Sequence, residues 1–484
     1  MKKLIEITKN LFNPVDLTKG RPLKVILIFM TPILLSLFFQ QIYTISDAAI
    51  VGNNLEKELV AGVNQSYSLV FIVIQFAFGC TSGFSAISSQ KMGQNDLEGV
   101  RKSFAAQLLM SLIISIILTI VAVCCIPFLL NFIGSVEGTK TYTAAKEYIF
   151  IIYLGLFTQI FYNLMVSVLR SIGDSLTPLL FLIASTIINI CLDILFIVAF
   201  KWGVIGAAVA TVISQLLAGL ASFIYSLYKY PYLRFKLNDF KLNFKFAFAH
   251  LKLGLPLALQ FSILAIGLII LQKSMNNFGV DAINGYGVAA KYNDFLMTPF
   301  SALGTAMLSY MGQNLGAHNT SRIKSGLKDS AIVMLIMYVI FGGLGILTAI
   351  NGTYTHIFLS SENINDKVKF YASMYIFIDC AFYPILGFLF LYRNILQGLG
   401  KSLFPFLAGI GELIGRTLLC EFLPSLINKE NPTSDASYIG LCFADTLAWT
   451  FAVTLLLIGL YLTFIKGKLL QKLDQENLKA TSSN

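Results

Sequence analysis

Two aspartates set within otherwise apolar segments are the residues of this sequence best suited to chemistry. Asp47 comes one turn after Tyr43, and Asp193 follows Asn189 at i, i+4, which puts that second pair on one helical face. A charged side chain at mid-bilayer costs on the order of 2.5–3.5 kcal/mol, so it persists where it faces a cavity or a partner. If the Asp193 segment ends near Phe200, a rise of about 1.5 Å per residue puts Asp193 roughly 10 Å and Asn189 roughly 16 Å below the outer surface. Thr211, on the segment returning from about Gly203, lies about 12 Å deep by the same rise. Two carboxylates meeting in poorly hydrated surroundings repel, which favours uptake of a proton. With the Asn189 and Thr211 oxygens they also suit a small hard cation such as Na⁺. The competing reading makes Asp47 a cap on an outer turn and Asp193 a hydrogen-bond partner of a neighbouring helix.

The second half of the chain carries different groups. Glu412 and Arg416 are spaced i, i+4, Lys291 and Asp294 i, i+3, and Glu421 lies further along from Arg416. These read first as ion pairs holding helices together, with a share in a substrate pathway as the sharper alternative for Lys291 and Arg416. Asp379 and Asp445 are single acids expected near the outer surface or hydrogen-bonded. Asn64, Gln65, Gln159 and Asn163 either line a cavity or tie helices together, as polar residues do in membranes. The 7 cysteines have no metal-ligand spacing and the 3 histidines sit near helix ends. No nucleophile–base pair and no Gly-x-x-x-x-Gly-Lys-Ser/Thr loop is present. The chain is therefore not expected to be an enzyme, to hold a cofactor or to hydrolyse ATP.

The elements that must position these residues are membrane helices. Of 484 residues, 56% are hydrophobic and 12% charged, against roughly 25% charged in a soluble domain. Apolar runs are continuous rather than alternating, which excludes a β-barrel. They predict an all-α polytopic membrane protein with twelve spans, at about 23–49, 58–90, 102–130, 143–169, 175–200, 204–228, 249–274, 282–310, 324–351, 367–396, 402–427 and 438–465. With both termini inside, the inner loops and termini hold about 25 of the 35 Lys and Arg and the outer loops about 8. That bias fixes both ends on the cytoplasmic side of a bacterial-type inner membrane. The net charge of +10 is thus an orientation signal, not a nucleic-acid surface. No small-residue cleavage site follows the first apolar run, so the first span is expected to be retained.

The halves repeat. Met92-Gly93-Gln94-Asn95 recurs as Met311-Gly312-Gln313-Asn314, and Gly173-Asp174-Ser175-Leu176-Thr177-Pro178 as Gly400-Lys401-Ser402-Leu403-Phe404-Pro405, at offsets of 219 and 227. Pro32 and Pro256 take similar places in the first and seventh spans. The expected organisation is a cytoplasmic segment at 1–22, a six-helix lobe at 23–229, an inter-lobe loop at 230–248, a second six-helix lobe at 249–466 and a cytoplasmic tail at 467–484. Six spans per unit give the two pseudo-symmetric lobes one orientation, as in transporters that rock lobes about a substrate.

With Asp47-Ala48-Ala49-Ile50-Val51-Gly52 ending the first span and Met-Gly-Gln-Asn ending the second and eighth, the chain resembles the multidrug and toxic compound extrusion (MATE) family across residues 20–465. The resemblance implies a V-shaped pair of lobes that exports organic cations and drugs against inward Na⁺ or H⁺. Its DinF-like branch places the cation in the N-terminal lobe. Asp47, Asn189, Asp193 and Thr211 match that branch's ligands, and Tyr43 an accompanying tyrosine. The other branch has a glutamate in the seventh span, where this chain carries Gln260, and an acid in the tenth, where Leu386 stands. Gln260 and Arg416 thus set the second lobe apart, and both are candidates for lining its substrate pathway. A monomer is expected, with membrane lipid and a small amphipathic or cationic substrate as its partners. A flippase of lipid-linked sugars, or of another amphipathic lipid, is the alternative.

Overall fold

The structure is a computed structural model that describes residues 13–241, 243–358 and 364–482. Lys2, Lys3 and Lys9 of the basic leader and the end of the tail at 483–484 lie outside them. Among the described residues the regular elements are helices only.

The first half gives spans at Pro22–Asn54, Lys57–Gly93, Leu97–Phe132, Lys140–Ser171, Leu176–Ala199 and Gly203–Lys229. The second half begins with Phe244–Asn276 and Val280–Gly316 and continues through Thr320–Ile350. Asp366–Gly398, Leu403–Ile427 and Asp435–Tyr461 complete it. Eleven of the expected twelve, counting the bent fourth and tenth as one span each, are long and apolar enough to cross a membrane. The eighth, with Asp281, Lys291 and Asp294, is the most polar in sequence and is still one continuous helix of 37 residues.

Most spans run past the lengths read from hydropathy, because polar side chains cap them beyond the apolar stretch. Asp96 accepts from the Gly99 amide (2.8 Å), Thr139 from Tyr142 (3.1 Å) and Asn365 from Val368 (2.8 Å). Two spans expected as single rods are bent, the fourth by 50° at Gly155 and the tenth by 56° at Phe382. Pro384 explains the second bend, since it has no amide hydrogen to continue the ladder. At the first, Val212 packs where a Cβ on residue 155 would lie, so the close approach requires glycine.

The chain forms two compact units, residues 1–19 with 27–262 and 312–317, and residues 20–26 with 263–311 and 318–484. The division therefore falls inside the seventh span, at Ser262, and not in the 230–248 loop. The first half of that span is held to the second span by small residues. A Cβ on Gly79 would lie 2.5 Å from the Ala258 Cα, and one on Gly83 would lie 2.5 Å from the Gly254 Cα.

The repeated motifs are structural. A Cβ on Gly93 would run into the Gln313 carbonyl, and one on Gly316 into that of Gln90. Gln313 Nε2 donates to the Ser171 carbonyl (2.8 Å), and Asn314 Nδ2 donates to that of Leu17 (3.0 Å). Asp174 of the other motif accepts from the Thr177 amide (2.9 Å), Lys229 Nζ (2.9 Å) and Tyr230 Oη (2.6 Å). Gly93→Ala is accordingly expected to lower stability by about 1–3 kcal/mol through overpacking against backbone. Thermal unfolding in detergent measures it, and a melting temperature equal to that of the unmodified protein would refute the close approach.

Candidate functional site

The fifth span is a regular α-helix to Asp193 and then widens into a π-helical turn, Ile194–Ala199. Such turns change which face the following residues present and recur at functional sites. Phe196 in this turn stacks on Trp202 with ring centroids 4.8 Å apart. A Cβ on Gly206 would lie 3.1 Å from the Phe196 Cβ, so the sixth span starts hard against the turn.

This packing brings the first-half residues together. Asn189 and Asp193 are both 0% exposed. Asp47 faces Asp193 at interaction range, and Tyr43 feels both carboxyls. Tyr43 Oη donates to Thr211 Oγ1 at 3.4 Å, tying the first span to the sixth. Oδ1 of Asp47, both oxygens of Asp193 and both amide atoms of Asn189 are buried without a hydrogen-bond partner in the protein. Buried polar groups are nearly always satisfied, so five unpartnered atoms in one cluster are exceptional. Carboxylate, amide and hydroxyl oxygens are the ligand types that suit a proton or a small hard cation.

Tyr148 is the member that sequence reasoning missed. It lies close enough to Asp47, Tyr43 and Asp193 to feel their charges. The signal was available, because eight residues of rise from the Lys140 helix start put it about 12 Å in, at the depth of Thr211. A tyrosine among isoleucines gave no reason to look.

The other expected residues do not join this cluster. Asn64 is exposed, Gln65 accepts from Ser135 Oγ at 3.2 Å, and Gln159 and Asn163 are half-buried one turn apart. Gln260 is fully buried in the first unit. Lys291 and Asp294 are both exposed, and no ion pair joins them among the described residues.

Arg416 belongs to a buried network in the second unit. Its Nε donates to Asp445 Oδ1 (2.6 Å) and its Nη2 to Glu412 Oε1 (3.1 Å), while Arg393 Nη2 donates to Glu412 Oε2 (3.0 Å). Tyr375 Oη donates to the other Asp445 oxygen (2.9 Å), and Asn293 Nδ2 to Asp379 (3.0 Å). The ion-pair reading therefore describes Glu412 and Arg416. Asp379 and Asp445 are 0% and 1% exposed and hydrogen-bonded, the second of their two expected settings.

A family model described as MatE matches residues 32–195 and 256–420. The probable multidrug resistance protein YpnP of Bacillus subtilis is 28% identical over 393 residues, covering 80% of this chain and 85% of its own length. YoeA of the same organism, also a probable multidrug resistance protein, is 26% identical over 456 residues, 93% of this chain and 95% of its own. Among solved structures, the outward-facing conformation of a multidrug resistance MATE family transporter of the MOP superfamily superposes with a TM-score of 0.82. It is 21% identical and covers 95% of this chain and 99% of its own. The two matched blocks of the family model fall one in each sequence repeat.

Proposed function

This chain belongs to the MatE family, and from that premise we propose that it is a secondary antiporter that exports organic cations or drugs in exchange for inward Na⁺ or H⁺. The observation that carries the reading is the cluster of buried, unpartnered oxygens on Asp47, Asn189 and Asp193. The names of YpnP and YoeA support the substrate class. They offer nothing for a lipid flippase, and that alternative is not carried forward. The Lys and Arg distribution supports a cytoplasmic-membrane protein with both termini inside. The coupling ion is cargo, and no other cofactor is invoked.

In this mechanism Asp47 and Asp193 supply the charge that attracts the cation, and Asn189 Oδ1 and Thr211 Oγ1 supply neutral ligands. The Tyr43 hydroxyl donates to Thr211, which occupies one Thr211 lone pair and leaves the other available to a cation. When the cation leaves, the two carboxylates repel at close range in a poorly screened setting. Loading and unloading thus favour different side-chain arrangements, and a ligand shifts a conformational equilibrium only by such a differential.

Purified protein in liposomes, loaded with a cationic dye and given inward Na⁺ or pH gradients, tests the proposal. Dye efflux driven by one of the gradients, with matching ²²Na⁺ or proton uptake, is expected. Efflux indifferent to both gradients refutes antiport. Asp47→Asn and Asp193→Asn are further expected to be non-additive, with a coupling of about 0.5–3 kcal/mol in cation affinity, because both side chains hold one ion. Independent losses in a double-mutant cycle would separate them into two sites.

A further inference from the structure

The repeat allows each residue of the cation cluster to be matched with its counterpart in the second half. Placing Gly173–Pro178 on Gly400–Pro405 puts Asn189 on Arg416 and Asp193 on Cys420. Placing Pro32 on Pro256 puts Tyr43 on Gly267 and Asp47 on Leu271. Ile205-Gly206 with Ala210 recurs as Ile439-Gly440 with Ala444, which puts Thr211 on Asp445.

The counterparts differ in one consistent way. In the first unit the matched positions leave buried oxygens with no partner. In the second, a positive charge is built in, with the Arg416 guanidinium on Asp445 at 2.6 Å and on Glu412 at 3.1 Å. Room for it comes from the residue matched to Tyr43, since a Cβ on Gly267 would lie 2.5 Å from Arg416 Nη1. Leu271, 0% exposed, replaces the acid Asp47. Asp379 lies beside this network, 0% exposed, and its Oδ1 has no hydrogen-bond partner.

We propose that the Arg416 guanidinium is a tethered cation that fills the second unit's counterpart of the cation site and so confines exchange to the first unit. Occupancy by arginine stands on the geometry above, whereas its consequence for exchange rests on the antiport reading. Removing the Arg416 charge leaves Glu412, Asp445 and Asp379 with Arg393 alone. A buried acidic surplus of that kind is strongly unfavourable unless a cation enters.

Equilibrium ²²Na⁺ binding to purified protein at alkaline pH tests this. The unmodified chain is expected to bind a single Na⁺, lost in Asp193→Asn. The double variant Asp193→Asn/Arg416→Ala is expected to regain one Na⁺, and adding Asp445→Asn to abolish it again. If the unmodified chain binds no Na⁺, the sodium form of the antiport reading fails, while the gain on removing Arg416 still supports the tethered cation. A folded double variant without the gain overturns it. An ion retained by Asp193→Asn and lost on adding Asp445→Asn to a chain that still carries Arg416 also overturns it. Should Arg416→Ala not fold, Arg416→Gln, which keeps most of the side chain's bulk and removes only its charge, is expected to show the same gain in the Asp193→Asn background.

Discussion

Asp193→Asn is expected to reduce gradient-driven efflux to the level of protein-free vesicles while the protein still folds and inserts. Both Asp193 oxygens are buried and unpartnered, and the side chain is 0% exposed beside Asp47. The substitution keeps the shape and removes a charge. It therefore relieves repulsion in the resting protein and weakens only the state in which a cation is held. A hydrogen bond or ligand contact to a charged group is worth about 1.5–3 kcal/mol, or roughly ten- to a hundredfold in cation affinity. Transport suffers more than affinity, because an exchanger that cannot load its driving ion has no cycle. The melting temperature is expected to hold or rise, since a buried charge has been deleted. Paired efflux and thermal measurements read both effects. Full efflux with an unchanged ion requirement would remove Asp193 from the mechanism, whereas loss of efflux with a collapsed melting temperature would make its role structural.

Glu412→Ala is expected to have the largest effect on stability. Glu412 accepts from Arg393 at 3.0 Å and Arg416 at 3.1 Å, and all three side chains are nearly inaccessible. Deleting the carboxylate strands Arg393 without an ion-pair partner and leaves Arg416 with Asp445 alone. Breaking a buried pair by removing one partner costs about 3–5 kcal/mol, mostly from the uncompensated charge left behind. A sharp fall in folded yield and melting temperature is expected for Glu412→Ala. Removing Arg393 as well, as Arg393→Met/Glu412→Ala, is expected to recover part of it. No recovery in the double variant would mean that the charges do not act as a network. The melting temperature in detergent decides.

Both outcomes depend on contacts that differ in how far the sequence specified them. Continuous apolar runs with punctuating lysines and arginines determine the class of the molecule, its twelve spans and their order, because lipid leaves the backbone no alternative to helix. The repeated Gly-Gln-Asn and Gly-x-Ser-Leu-x-Pro segments determine the duplication. Asp47, Asn189, Asp193 and Thr211 were legible as a group, since a charge inside an apolar helix is costly and a fixed rise per residue sets its depth.

Tertiary structure decided what those residues meet. Hydropathy is averaged over a window and carries no azimuth, so it could not show that the helix widens just after Asp193 or that Tyr148 comes in from the fourth span. It could not distinguish an acid near the membrane surface from one inside a salt-bridged core, which is why both settings stayed open for Asp379 and Asp445. Nor could it locate the bend at Gly155, where Val212 from more than fifty residues away packs in place of a side chain. Depth is a one-dimensional property that a chain fixes by counting. Facing is set by packing between helices distant in sequence, and only the folded molecule settles it.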